Sequence, residues 1–110
     1  MSVNDIRKAV TNELYDMQPG PSDKTATFII GNEDHTLGNP LRHIIMQQPE
    51  TDFCGYSVPH PYEPKMNIRV QSHSIPAVQV FQKSLTVMES MCDSLDNEFD
   101  RALDEFMAKR

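Results

Sequence analysis

Asp34 with His35, the thiols of Cys54 and Cys92, and the imidazoles of His60 and His73 are the groups in this chain with the chemistry to act on a substrate or hold an ion. Histidine titrates near neutral pH, and a carboxylate that orients it makes a general base. Asp34 and His35 are adjacent, however, a spacing at which one side chain rarely orients the other, and both fall where a helix begins. A structural role fits them better. Cys54 has no surrounding motif that would lower its pKa, so it is not read as a nucleophile. His60, His73, Cys54 and Cys92 lack the C-x-x-C or H-x-x-x-H spacing of a zinc site, and Gly31, Gly38 and Gly55 are isolated rather than set in a phosphate-cradling loop. The sequence predicts no catalytic residue, no metal and no cofactor.

Composition narrows the classes further. The 110 residues suit one domain. A net charge of −6 and a pI near 5.0 argue against a chain that grips nucleic acid through its own phosphate contacts, and a mean hydropathy of −0.52 argues against a membrane span. Two cysteines in strand-like and helical runs read as buried, reduced side chains of a reducing compartment. The first ten residues carry no apolar stretch behind their charges, so no secretory signal is expected.

The elements that position these residues are legible from period and punctuation. Val3, Ile6, Val10, Leu14 and Met17 recur at helical spacing, and Pro19, Gly20, Pro21 and Ser22 end that helix, so residues 1–22 are expected to form a helical appendage and residues 23–110 the domain. The β-branched and aromatic run from Thr25 to Ile30 predicts a strand. A helix follows, capped by Asp34 or Thr36, with Leu37, Leu41, Ile44 and Ile45 on one stripe, Pro40 in or near its first turn, and Pro49 closing it. Phe53 to Val58 reads as a second strand and a proline-rich loop separates it from a third, in which Met66, Ile68 and Val70 alternate with Lys65, Asn67, Arg69 and Gln71. Pro76 lies in the first turn of a final helix. The fold class is therefore α+β, with a small antiparallel or mixed sheet of three strands packed on two helices.

That final helix is the most unusual element. Val78, Phe81, Leu85, Met88, Cys92, Leu95, Phe99, Ala102 and Phe106 keep three-four spacing over residues 77–109, a length on the order of 50 Å at ~1.5 Å per residue. A domain of this size cannot cover such a seam. Val80, Val87, Met91, Leu103 and Met107 widen the stripe, consistent with one part lying on the sheet and another meeting a second subunit. Asp93, Asp96, Glu98, Asp100, Asp104 and Glu105 between the seam positions read as the solvated back of the helix. Nothing in the period itself separates pairing with another chain from pairing with a second copy.

The run Asp34-His35-Thr36-Leu37-Gly38-Asn39 with Leu41 and Arg42, then Phe53-Cys54-Gly55-Tyr56, His60-Pro61 and Asn67-Ile68-Arg69-Val70-Gln71, resembles the small alpha-like subunits of eukaryotic RNA polymerases, relatives of the dimerisation domain of bacterial polymerase alpha. The likeness runs from about Thr25 to the C-terminus. Within the family it is strongest to the subunit common to RNA polymerases I and III, because Phe53-Cys54-Gly55 and Asn67-Ile68-Arg69 stand where the RNA polymerase II paralogue has an Ala-Gly-Tyr-like run.

The resemblance implies a noncatalytic scaffold of the nucleus and nucleolus. It implies a heterodimer with a larger alpha-like subunit, on which the two large catalytic subunits assemble, with neither nucleic acid nor membrane bound directly. The partner interface it implies comprises Thr36, Leu37, Gly38, Asn39, Leu41, Arg42, Ile44 and Ile45 of the first main helix with Val78, Phe81, Leu85, Met88, Cys92, Leu95 and Phe99 of the last. Gly38 is expected at a close approach to the partner's helix. Two positions depart from the family pattern: His43 replaces a second basic residue, and Pro40 replaces a serine or alanine, which is expected to shift the helix start.

Overall fold

The computed structural model describes residues 14–62 and 65–110, and its elements are β1 (Leu14–Pro19), β2 (Thr25–Gly31), α1 (His35–Gln47), β3 (Thr51–Ser57), β4 (Lys65–Ser72) and α2 (Ala77–Ala108). The four strands form one antiparallel sheet in the order β1-β2-β4-β3. The expected architecture stands, with one strand added at an edge.

That strand corrects the reading of the N-terminal segment. Leu14 and Met17, assigned to the end of a helix, lie in β1, which pairs Met17 with Phe28 and Pro19 with Ala26; the remainder of the expected helix falls outside the described residues. Asp16 to Pro19 are all exposed, so over these residues the edge strand shows no alternation of buried and exposed positions. Its register comes from the turn, where Gly20 donates its N–H to the Thr25 carbonyl at 2.8 Å, and Pro19 is tolerated at the end of an edge strand.

One face of the sheet is sealed and the other is open. Ala26, Phe28 and Ile30 of β2, Cys54 of β3, and Met66, Ile68 and Val70 of β4 point into a core closed by Leu41 and Ile45 of α1 and by Ala77, Val80 and Phe81 of α2. Phe81 stacks on Phe28 with centroids 4.1 Å apart and planes 8° from parallel, fixing the rotation of α2 against β2. The start of α2 is also tied down: the Ala77 N–H donates to the Asp23 carbonyl at 2.8 Å, and Lys83 donates to Glu50 at 2.9 Å. The Lys83 hydrogen bond holds the Glu50 carboxyl below its ordinary range, so this tether is present above that range and is lost as pH falls through the lowered value.

Both helix starts differ from expectation in detail. Asp34 is the N-cap of α1, accepting from the Thr36 N–H at 2.9 Å, and Pro40 lies inside the helix, past its first turn. The start has not shifted; instead the Thr36 carbonyl forgoes an i+4 donor on an exposed side of the helix, where that loss is cheap. Pro76 stands one position before α2 as its N-cap. Gln48 is extended ahead of Pro49, which ends α1.

Candidate interaction surface

The sheet supports only the first three turns of α2. Ala77, Val80, Phe81 and Ser84 are buried and Val87 and Met88 half-buried, whereas every residue from Glu89 to Arg110 is exposed. The free part nevertheless keeps the apolar face of the anchored part. At about 100° per residue, Met91, Leu95, Phe99 and Phe106 continue the line of Val80, Phe81 and Met88 beyond the domain. Leu95 is 70% exposed, Phe99 63% and Phe106 62%. Soluble monomers rarely leave such a contiguous patch in water. Val87, Met91 and Leu95, with Thr86, Ser90 and Ser94 beside them, line a shallow groove, and Met91 also closes a second one against Asn39, Pro40, His43 and Ile44 of α1.

The candidate residues thus divide into two groups. Leu41, Ile44, Ile45 and Phe81 are packed in this chain's own core, and Leu37, Val78 and Met88 lean on it half-buried. Thr36, Asn39 and Arg42 of α1 are exposed, as are Leu85, Cys92, Leu95 and Phe99 of α2. The candidate set stops at Phe99, while the exposed seam continues through Leu103, Phe106 and Met107. The unbroken three-four spacing after Phe99 was the signal for these.

Gly38 is also packed from inside. A Cβ there would lie 2.6 Å from Cδ2 of Tyr56 and 2.8 Å from Sδ of Met66, so the close neighbours are side chains of this chain's β3 and β4. Tyr56 has little room to yield, because its hydroxyl shares a 2.8 Å hydrogen bond with Nδ1 of His35. Gly38→Ala gains ~1 kcal/mol of helix propensity but overpacks the site at a cost of ~1–3 kcal/mol. A net loss on the order of 1 kcal/mol is expected, read as a lower urea midpoint with an unchanged m-value.

The groups with potential chemistry are scattered. His35 bonds Tyr56, His73 bonds Asp52 at 2.8 Å, and Asp34 spends its carboxylate on the α1 cap rather than on His35. Cys54 is buried, its thiol pushed up to about 11 by desolvation, while Cys92 is exposed on α2. Among the described residues, no three His, Cys, Asp or Glu side chains converge in a way that would hold a metal ion.

A sheet sealed on one side by two helices, with an apolar helix running half its length past it, is the arrangement of an α+β association domain. The sequence model of the RNA polymerase Rpb3/Rpb11 dimerisation domain matches residues 25–98. The chain belongs to that family. It is 51% identical over 98 residues to the DNA-directed RNA polymerases I and III subunit RPAC2 of Schizosaccharomyces pombe, covering 87% of this chain and 78% of the relative. To the subunit of the same name in Drosophila melanogaster it is 43% identical over 84 residues, covering 76% and 80%. The crystal structure of DNA-directed RNA polymerase subunit L from Thermoplasma acidophilum shares the fold, with a TM-score of 0.71 at 17% identity over 86% of this chain and 95% of that one.

Proposed function

We propose that this chain is the small alpha-like subunit shared by RNA polymerases I and III, a noncatalytic part of the enzymes that transcribe rRNA, 5S rRNA and tRNA in the nucleus and nucleolus. Its work is assembly. The free half of α2, with the exposed side of α1 beside it, pairs with the larger alpha-like subunit, and the heterodimer is the platform for the two large catalytic subunits. The observation that carries this reading is the exposed seam from Leu85 to Phe106 on a helix whose first turns are anchored in the core. Permanent interfaces of this kind bury on the order of 2,000 Å² or more, which a lone domain leaves unmet.

Co-expression with the larger alpha-like subunit from the same source, followed by light scattering, tests it. A one-to-one complex is expected only with the partner, the chain alone being polydisperse; a stable homodimer that ignores the partner would overturn the reading. Thiol alkylation at pH 8 adds an independent readout. In the free chain Cys92 reacts and Cys54, raised by burial, does not; in the complex neither reacts. The sign for stability follows from the same shift: the unfolded thiol ionises near 9.0 and the folded one near 11, so folding is favoured fully below pH 9 and loses that contribution as pH rises toward 11.

A further inference from the structure

The end of α1 is clasped to the edge of the sheet through sulfur. β3 is an outer strand in the order β1-β2-β4-β3, so every second N–H along it points away from the sheet with no further strand to receive it. One of these, the Cys54 N–H, donates to Sδ of Met46 at 3.1 Å. Met46 is the penultimate residue of α1 and is 40% exposed, whereas Cys54 is fully buried. The contact closes the short connection between α1 and β3, whose turn is held by the Thr51 N–H donating to the Gln48 carbonyl at 3.1 Å. A thioether is a weak acceptor, and an oxidant converts it into a different group altogether.

We propose that Met46 is a methionine-oxidation site at which a hydroperoxide forms one sulfoxide epimer, and that this sulfoxide opens the clasp. The sulfur has two lone pairs. The Cys54 N–H occupies one of them, and at 3.1 Å no oxygen fits between nitrogen and sulfur. The oxidant is left with the other, reached through the exposed part of the side chain. One oxygen of hydrogen peroxide forms the S–O bond as the O–O bond breaks; the thioether loses two electrons, and the departing oxygen keeps its proton, takes the second and leaves as water. Attack on a single lone pair fixes the configuration at sulfur. The product carries its oxygen away from Cys54 and partial positive charge on the sulfur, so an attractive contact with an N–H becomes a repulsive one and the Met46 side chain leaves the strand edge.

The test treats the full chain with hydrogen peroxide, unfolds it so that access no longer matters, and divides it between the two methionine sulfoxide reductases, each specific for one epimer, with peptide mass spectrometry reading every methionine. One reductase is expected to remove at least about nine-tenths of the sulfoxide at Met46, while the exposed Met17 and Met91 divide about equally between the two. Equal division at Met46 as well overturns the blocked lone pair and the proposal with it. Amide exchange reads the clasp: the Cys54 N–H is expected to exchange ~10-fold or more faster after oxidation and to slow again once the sulfoxide is reduced. Exchange within about twofold of the untreated chain, with Met46 fully converted, overturns the opening. Met46→Leu, of similar volume and without sulfur, is expected to make Cys54 exchange indifferent to peroxide; a response that persists in this variant belongs to another methionine and overturns the proposal.

Discussion

Replacing Phe99 with aspartate is expected to weaken binding of the larger subunit by at least about 100-fold while the free chain keeps its fold. Phe99 is 63% exposed and touches nothing in the core, so the isolated domain loses little when the ring goes. In the complex the account is different. Burying a phenylalanine contributes ~1.5–3 kcal/mol, and an unpaired carboxylate in its place adds a desolvation cost of several kcal/mol. Even ~3 kcal/mol corresponds to more than a hundredfold in affinity. Light scattering of the co-expressed pair and circular dichroism of the variant alone measure the two halves of the statement; wild-type yield of heterodimer would count against the seam. Leu85→Asp acts in the same direction but is a less clean probe, because Leu85 is only 40% exposed and stands where α2 leaves the domain.

Phe81→Ala is expected to do the opposite, removing the domain first and the pairing as a consequence. Phe81 is 7% exposed and stacked on Phe28, so truncation leaves a cavity between α2 and β2 and costs ~3–5 kcal/mol. Domains of about this length have only ~5–15 kcal/mol in total, so the loss is a fifth or more of the whole. The urea midpoint of the free chain drops, and the heterodimer weakens because its anchor is loose. Together the two variants separate residues that build the domain from residues that build the interface, although both sit on one uninterrupted stripe.

The sequence could not make that separation. Leu41, Ile45 and Phe81 have the same spacing and the same apolar character as Leu95 and Phe99; what divides them is where the sheet ends, a tertiary fact with no local signature. The helix itself was plain, because its period runs from Ala77 to Ala108 without a breaker. β4 was equally plain, since Met66, Ile68 and Val70 are buried against polar neighbours on the other face. β1 was not, because an exposed edge strand takes its conformation from Phe28 and Ala26 across the ladder rather than from its own pattern. Gly38 shows a related limit. That it accompanies a close approach was readable, but the approaching group, Tyr56, lies eighteen residues on and is brought there by the α1–β3 packing.

No glycine or proline interrupts α2 between its anchored turns and its exposed ones. Sharp kinks need such a residue or a bulge, so the helix transmits orientation as a stiff lever. The tip of its free arm lies about 40 Å from the Phe28–Phe81 stack at ~1.5 Å per residue, and a tilt of about 10° at that stack would swing the tip by roughly 7 Å. The angle of this arm is therefore set inside the small domain, by the Phe28–Phe81 rings and by the backbone hydrogen bond from Ala77 to Asp23.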